Sequence, residues 1–119
     1  MNNVNDRGAH APEHIPAKLF AALSASLVDR REALNHRLDL LAHELPSDSV
    51  DGLRGLGDAE VVRAQYETTR AQLLEVDAAI DRIDAGGYGC CVECAAPINV
   101  DRLEAIPHAG LCLSCTAST

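Results

Sequence analysis

The chain carries five cysteines, and four of them form two pairs of the same spacing: Cys91-Val92-Glu93-Cys94 and Cys112-Leu113-Ser114-Cys115, with seventeen residues between the pairs. A CxxC turn offers two sulfurs to one point without long-range adjustment of the chain. Two such turns supply four thiolates, enough to surround a Zn²⁺ ion as a tetrahedron at metal–sulfur distances of ~2.3 Å. That sphere is closed. It leaves no position for substrate or activated water, so an ion held there is structural. The competing chemistry is disulfide pairing or free thiols. The odd cysteine count argues against a complete disulfide framework. The N-terminus, MNNVNDRGAH, has neither the apolar run nor the cleavage site of a secretory signal. The expected location is therefore the cytoplasm, where thiols stay reduced and CxxC pairs serve metals.

Cys90 directly precedes Cys91 and has no partner of its own. A shift of one residue would make it the ligand in place of Cys91, but the regular spacing favours Cys91. Cys90 then reads as an incidental small residue or as a redox-sensitive thiol beside the metal. His108 lies near the second pair and could replace a thiolate, although four cysteines suffice. His10, His14, His36 and His43 show no matching ligand spacing. All five histidines are read as non-ligands. No open metal site, nucleophile–base pair or phosphate loop accompanies the cysteines, and Glu67 and Asp77 read as solvated helix acids. The chain is not expected to be an enzyme.

The elements that must carry this site are helical. Pro16 suits the first turn of a helix, where its missing N–H costs nothing. No Gly or Pro follows until Pro46. Along this stretch Phe20, Leu27, Leu34 and Leu41 recur every seven residues, with Leu38 and Leu45 in a second row. That is the apolar seam of a coiled coil. The second row meets Ser24 and Arg31 toward its N-terminal end, which predicts looser packing there. Residues 46–57, PSDSVDGLRGLG, read as a turn. Asp58 is placed to cap a second helix, which Gly86 and Gly87 end. On it Val62, Tyr66, Thr69, Leu73, Val76, Ile80 and Ile83 alternate steps of four and three. Two such seams joined by a short turn predict an antiparallel hairpin with arms of roughly 40–45 Å. The fold class is mainly α: a long antiparallel coiled-coil helical hairpin with a small C-terminal four-cysteine zinc finger.

Aromatic residues make up 3% of the chain, too few for a thick globular core. The net charge is −8, and one lysine and nine arginines are scattered among eighteen acids. This argues against direct DNA or RNA binding, which uses gathered cations, and favours a basic protein surface as partner. No stretch approaches the ~20 apolar residues of a membrane span.

The run Gly87-Tyr88-Gly89-Cys90-Cys91-Val92-Glu93-Cys94, then Pro97-Ile98, Arg102-Leu103-Glu104-Ala105-Ile106-Pro107 and Leu111-Cys112-Leu113-Ser114-Cys115, strongly resembles the zinc finger of the DksA/TraR family. The match is dense over 87–115, and the hairpin before it has the length and order that the family shows, extending the resemblance to 16–115. The resemblance implies a bacterial transcription factor that binds RNA polymerase directly and needs no DNA contact. It implies a coiled coil entering the secondary channel, with a tip that modulates promoter complexes near the catalytic centre. With the residue patterns above, the expected domains are a flexible N-terminal tail at 1–14, the hairpin at 15–86 with its tip at 46–57, and the finger at 87–119.

The family's tip carries an Asp-x-x-Asp-x-Ala motif. Asp48-Ser49-Val50-Asp51-Gly52-Leu53 matches both aspartates and places Leu53 where alanine is usual. Asp48 and Asp51 are thereby the implied partner-binding residues, and without the resemblance they would read as solvated turn residues. Members that respond to guanosine tetraphosphate carry basic residues at three positions that here hold Glu75, Ile106 and Thr116. A guanosine tetraphosphate site is therefore expected to be absent. The sequence runs four residues past Cys115, and the C-terminal helix of longer members is expected to be missing with part of the polymerase-gripping surface. The alternative function is a zinc-stabilised interaction or adaptor module that has lost polymerase regulation.

Overall fold

The computed structural model describes residues 12–45 and 56–118. Four helices occupy them: α1 (Ala17–Glu44), α2 (Leu56–Ala85), α3 (Val100–Ala105) and α4 (Leu113–Ser118). At ~1.5 Å per residue, α1 and α2 are about 42 and 45 Å long. They pack against each other along their length, and the molecule measures 64 × 33 × 19 Å.

Local chemistry sets the helix limits. Pro16 stands at the N-cap of α1 with φ −59° and ψ 143°, and its carbonyl accepts from Phe20 N–H at 2.9 Å. Leu45 leaves the helix with an extended ψ of 136°. A residue before proline is pushed out of the α region, and Pro46 follows. α2 begins at Leu56, so Asp58 lies within its first turn rather than at its cap. At the other end Gly87 N–H donates to Arg82 O at 2.8 Å and Gly86 N–H to Ile83 O at 3.2 Å. This is a Schellman closure, and Gly86 takes the φ of +87° that it requires.

The seam follows the heptad rows, but its N-terminal end, where looser packing was expected beside Ser24 and Arg31, is the best packed part, with Phe20, Leu23 and Leu27 in the core cluster. Phe20, Leu27 and Leu41 of α1 are buried, and Leu34, Leu38 and Leu45 are half-buried. Leu23 is buried too. It lacks a place in either heptad row but lies three residues after Phe20 and four before Leu27, on the same face. The polar breaks are used: Ser24 Oγ donates to Phe20 O at 2.9 Å, and Arg31 Nη1 reaches Asp77 Oδ1 at 3.9 Å across the arms. On α2, Thr69 and Val76 are buried with Ala79, and the other five seam residues are half-buried.

The core lies at the base, where the finger meets the arms. Phe20, Leu23, Leu27, Val76 and Ala79 join Ile15, Tyr88, Cys91, Ile98, Leu103 and Ala109 in one cluster. Tyr88 is central. Its ring meets Phe20 edge-on at 6.0 Å, and its hydroxyl donates to Pro107 O at 2.7 Å. Burial pushes the phenol up to about 12, partly opposed by the Arg82 guanidinium.

Residues 12–14, expected within the tail, instead pack on the finger. Pro12 O accepts from Ile15 N–H at 3.1 Å, His14 Nε2 lies 3.0 Å from Ile98 O, and Ile15 is buried. Gly89 explains the close approach. It has φ +90°, and a Cβ there would stand 2.7 Å from Ile15 Cδ1. Four residues are too few to show a period, so this contact leaves no mark in the sequence pattern.

Candidate metal centre and the adjoining groove

After the Schellman closure the chain turns into the first CxxC pair. Cys91 N–H donates to Ala96 O at 2.8 Å and Ala95 N–H to Cys91 O at 2.9 Å, closing a tight knuckle. Ala95 holds φ +66° to complete it. A single bridge pairs Cys90 with Pro97, and Ile98 N–H donates to Gly89 O at 2.8 Å. α3 follows, capped by the Asn99 side chain, which accepts from Asp101 N–H at 2.8 Å. Arg102 on α3 donates through Nε to Leu111 O at 3.1 Å and so fixes the approach to Cys112. The second pair opens α4, and Thr116 N–H donates to Cys112 O at 2.9 Å. Val92 N–H to Gly110 O at 2.9 Å joins the two knuckles.

This framework brings together the sulfurs of Cys91, Cys94, Cys112 and Cys115, all within 4.8 Å of one another. Cys94 Sγ and Cys112 Sγ are 3.7 Å apart. A tetrahedron with ~2.3 Å metal–sulfur bonds has edges of about 3.8 Å, so the spacing suits one zinc ion. The electrostatics point the same way. Backbone N–H groups, first Cys112 and then Cys94, draw the Cys91 thiol down to about 6. The neighbouring thiols, Cys91 foremost, push Cys115 far up. Cys94 is also raised: the Ala96 N–H is the largest single influence and lowers it, but the sulfurs of Cys112 and Cys91 outweigh that. Thiolates this close repel one another until a dication is placed among them. Cys90 is half-buried and stands outside the four. Neither His14 nor His108 belongs to the set. His14 faces Ile98 O, and His108 Nε2 lies 3.3 Å from Glu75 Oε1.

A groove of about 370 Å³ adjoins the finger where it meets α2. Glu75, Ile106 and Thr116 all line it, so three positions far apart in sequence share one wall. Those three residues supply no cation, but Arg82 and Arg102 also line the groove. Both guanidinium groups are turned to the protein itself. Arg82 Nη2 donates to His108 O at 3.2 Å and to Ala109 O at 3.4 Å. Arg102 Nη2 donates to Thr116 Oγ1 at 3.2 Å. Arg82 thus straps the 107–111 loop to the arm. The sequence signal for this was an arginine in the last turn before Gly86-Gly87, where it can reach carbonyls beyond the helix end. Asp48 and Asp51 lie outside the described residues.

Comparison with known proteins gives these features a context. Residues 86–118 match the family described as prokaryotic dksA/traR C4-type zinc finger. The chain is 30% identical over 106 residues to the RNA polymerase-binding transcription factor DksA of Caulobacter vibrioides, in strain NA1000 / CB15N and equally in strain ATCC 19089 / CIP 103742 / CB 15. That alignment covers 89% of this chain and 71% of the relative. The fold is similar to that of transcription factor DksA2 from Pseudomonas aeruginosa, with a TM-score of 0.74, 25% identity, and coverage of 93% of this chain and 91% of that one. No described helix is long and apolar enough to cross a membrane.

Proposed function

The chain belongs to the DksA family of zinc-finger transcription factors, and from that premise we propose that it binds RNA polymerase directly and regulates transcription without catalysing a reaction. It carries one structural zinc. We assign Cys91, Cys94, Cys112 and Cys115 as its ligands. The ion fixes the finger, and the finger, through Tyr88, Arg82 and the Ile15 segment, fixes the base of the hairpin. The hairpin enters the secondary channel of the polymerase and carries Asp48 and Asp51 at its tip toward the catalytic centre. DNA contact is not required, in keeping with a net charge of −8. The supporting observation is that similarity to a polymerase-binding factor spans 89% of the chain, arms as well as finger.

The test is binding to purified bacterial core RNA polymerase. Saturable binding that excess DksA displaces is expected. Absence of binding to polymerase that takes up DksA would favour an adaptor that kept the fold and lost this target.

A second expectation concerns guanosine tetraphosphate. Responsive members place cations where this chain has Glu75, Ile106 and Thr116, and its two groove arginines are engaged with carbonyls and a hydroxyl. Glu75 adds a carboxylate that opposes a polyphosphate. Little or no direct enhancement by the nucleotide is expected at the surface shared with polymerase. Transcription with and without the nucleotide, on polymerase whose separate nucleotide site is disabled, measures it. Strong enhancement that depends on this protein would overturn the assignment.

A further inference from the structure

In the tip-side half of the hairpin a shallow surface cleft of about 280 Å³ is lined by Arg37 of α1 and Ala64, Gln65, Thr68, Thr69 and Gln72 of α2. Its composition is unusual for this protein. Arg37 has no carboxylate partner among the described residues, although acids outnumber basic residues along the chain. Its neighbours one turn away on α1 are Ala33, Leu34, Leu40 and Leu41, none of them acidic. Opposite it α2 presents only alanine, threonine and carboxamides. The exposed Arg37 side chain thus lies beside uncharged groups that can donate and accept hydrogen bonds.

Beyond the lining residues on the tip side stand two exposed aliphatic side chains, with Glu60 beside them. Leu40 lies three residues beyond Arg37 on α1, and Val61 lies three and four residues before Ala64 and Gln65 on α2. Residues at these spacings share a helix face. Because the arms run antiparallel, both flank the same end of the cleft. They are 53% and 56% exposed, a large share for apolar side chains. An unpaired arginine, two carboxamides and two uncovered aliphatic side chains therefore share one stretch of the arm.

We infer that this cleft is a docking site for an extended segment of RNA polymerase that carries a carboxylate next to an apolar side chain. The inference rests on the polymerase-binding reading above and names the chemistry of one contact within it. The carboxylate pairs with the Arg37 guanidinium, which can hold it through two parallel hydrogen bonds. Gln65 and Gln72, two turns apart, hold the segment's peptide groups. The apolar side chain covers Leu40 and Val61. The choice of an acidic segment follows from charge: the one ionisable residue lining the cleft is Arg37, which has no carboxylate partner among the described residues.

The experiment measures affinity for core polymerase in the zinc-loaded full chain. Arg37→Glu is expected to weaken binding about tenfold, because an attractive charge pair is replaced by a like-charge contact. The loss should shrink as salt rises. Arg37→Gln, which keeps helix propensity, should lose severalfold, as should Leu40→Gln combined with Val61→Gln. Arg63→Glu is the control, since Arg63 is two residues from Gln65 and about 200° round the helix. It should change affinity by less than about twofold. A photo-crosslinker at Thr68 should capture a polymerase peptide with an Asp or Glu beside an apolar residue. Wild-type affinity in both Arg37 variants, equal loss in Arg63→Glu, or capture of a basic peptide would each overturn the inference while leaving polymerase binding intact. Failure of the wild type to bind polymerase would overturn the parent reading and this one with it.

Discussion

Cys94→Ser is expected to lose its zinc and, with it, the fold of the finger. Each thiolate is one quarter of a closed sphere, and metal binding in such modules contributes about 10–16 kcal/mol, as much as a whole small domain's net stability. The finger has little else: α3 and α4 are six residues each, and a single bridge replaces a sheet. Tyr88, Ile98 and Leu103, all in the core at the hairpin base, are held by this segment. Loss of metal should therefore loosen the base of the arms as well. Cys91→Ser, Cys112→Ser and Cys115→Ser should behave alike, whereas Cys90→Ser keeps one zinc per chain. Metal analysis of the purified variants, with near-ultraviolet spectra of the two tyrosines, reads both effects. Full zinc in Cys94→Ser would sink the assignment, and loss in Cys90→Ser with retention in Cys91→Ser would move the register by one residue.

The same cluster gives the sign of the pH dependence. Without metal, Cys91 is held at about 6, while Cys94 and Cys115 are raised and keep their protons at neutral pH. Zinc binding must expel those protons, so affinity falls as pH falls. Chelator should strip the protein faster at pH 6 than at pH 8.

The parts of the molecule written in short repeats were legible in the sequence. The α2 seam from Val62 to Ile83 reads directly as the stripe that faces α1, buried or half-buried throughout, because a helix returns every 3.6 residues and its steps of four and three never fail. The four sulfurs were equally plain, since a CxxC turn is a local geometry. What could not be read was contact between segments without a period. Ile15 meeting Gly89, and Arg82 reaching the carbonyls of 108 and 109, depend on how the finger is set against the arms. The groove shows the limit well. Glu75, Ile106 and Thr116 could be grouped by resemblance, but only the folded chain places Arg82 and Arg102 beside them and shows both engaged with backbone or hydroxyl. The Arg37 cleft escaped notice because its residues are ordinary for a helix surface. Their meaning comes from Arg37, which has no carboxylate partner among the described residues.

At the far end of the hairpin, binding and regulation are expected to separate. The arms and finger offer most of the surface that a partner can cover, so they should supply most of the affinity. In sequence, Asp48 and Asp51 match both aspartates of the family's tip motif. Placed near a catalytic centre, a carboxylate acts on mobile basic elements or on the field of a bound metal ion, and both effects depend on charge. Asp51→Asn removes that charge and keeps the size and turn preference of the side chain. It should bind polymerase within about twofold of wild type, as surface substitutions do, yet lose most of its effect on the lifetime of promoter complexes. Asp48→Asn should be similar or milder. Gly52, Gly55 and Gly57 lie within or just after the motif, and Leu53 replaces its usual alanine, so restoring Leu53→Ala tests whether the side chain there already limits activity. A binding curve and a promoter-complex lifetime for each variant decide the matter. If Asp51→Asn regulates as wild type does, charge at the tip is not the effector, and regulation must act through the arms that hold the channel.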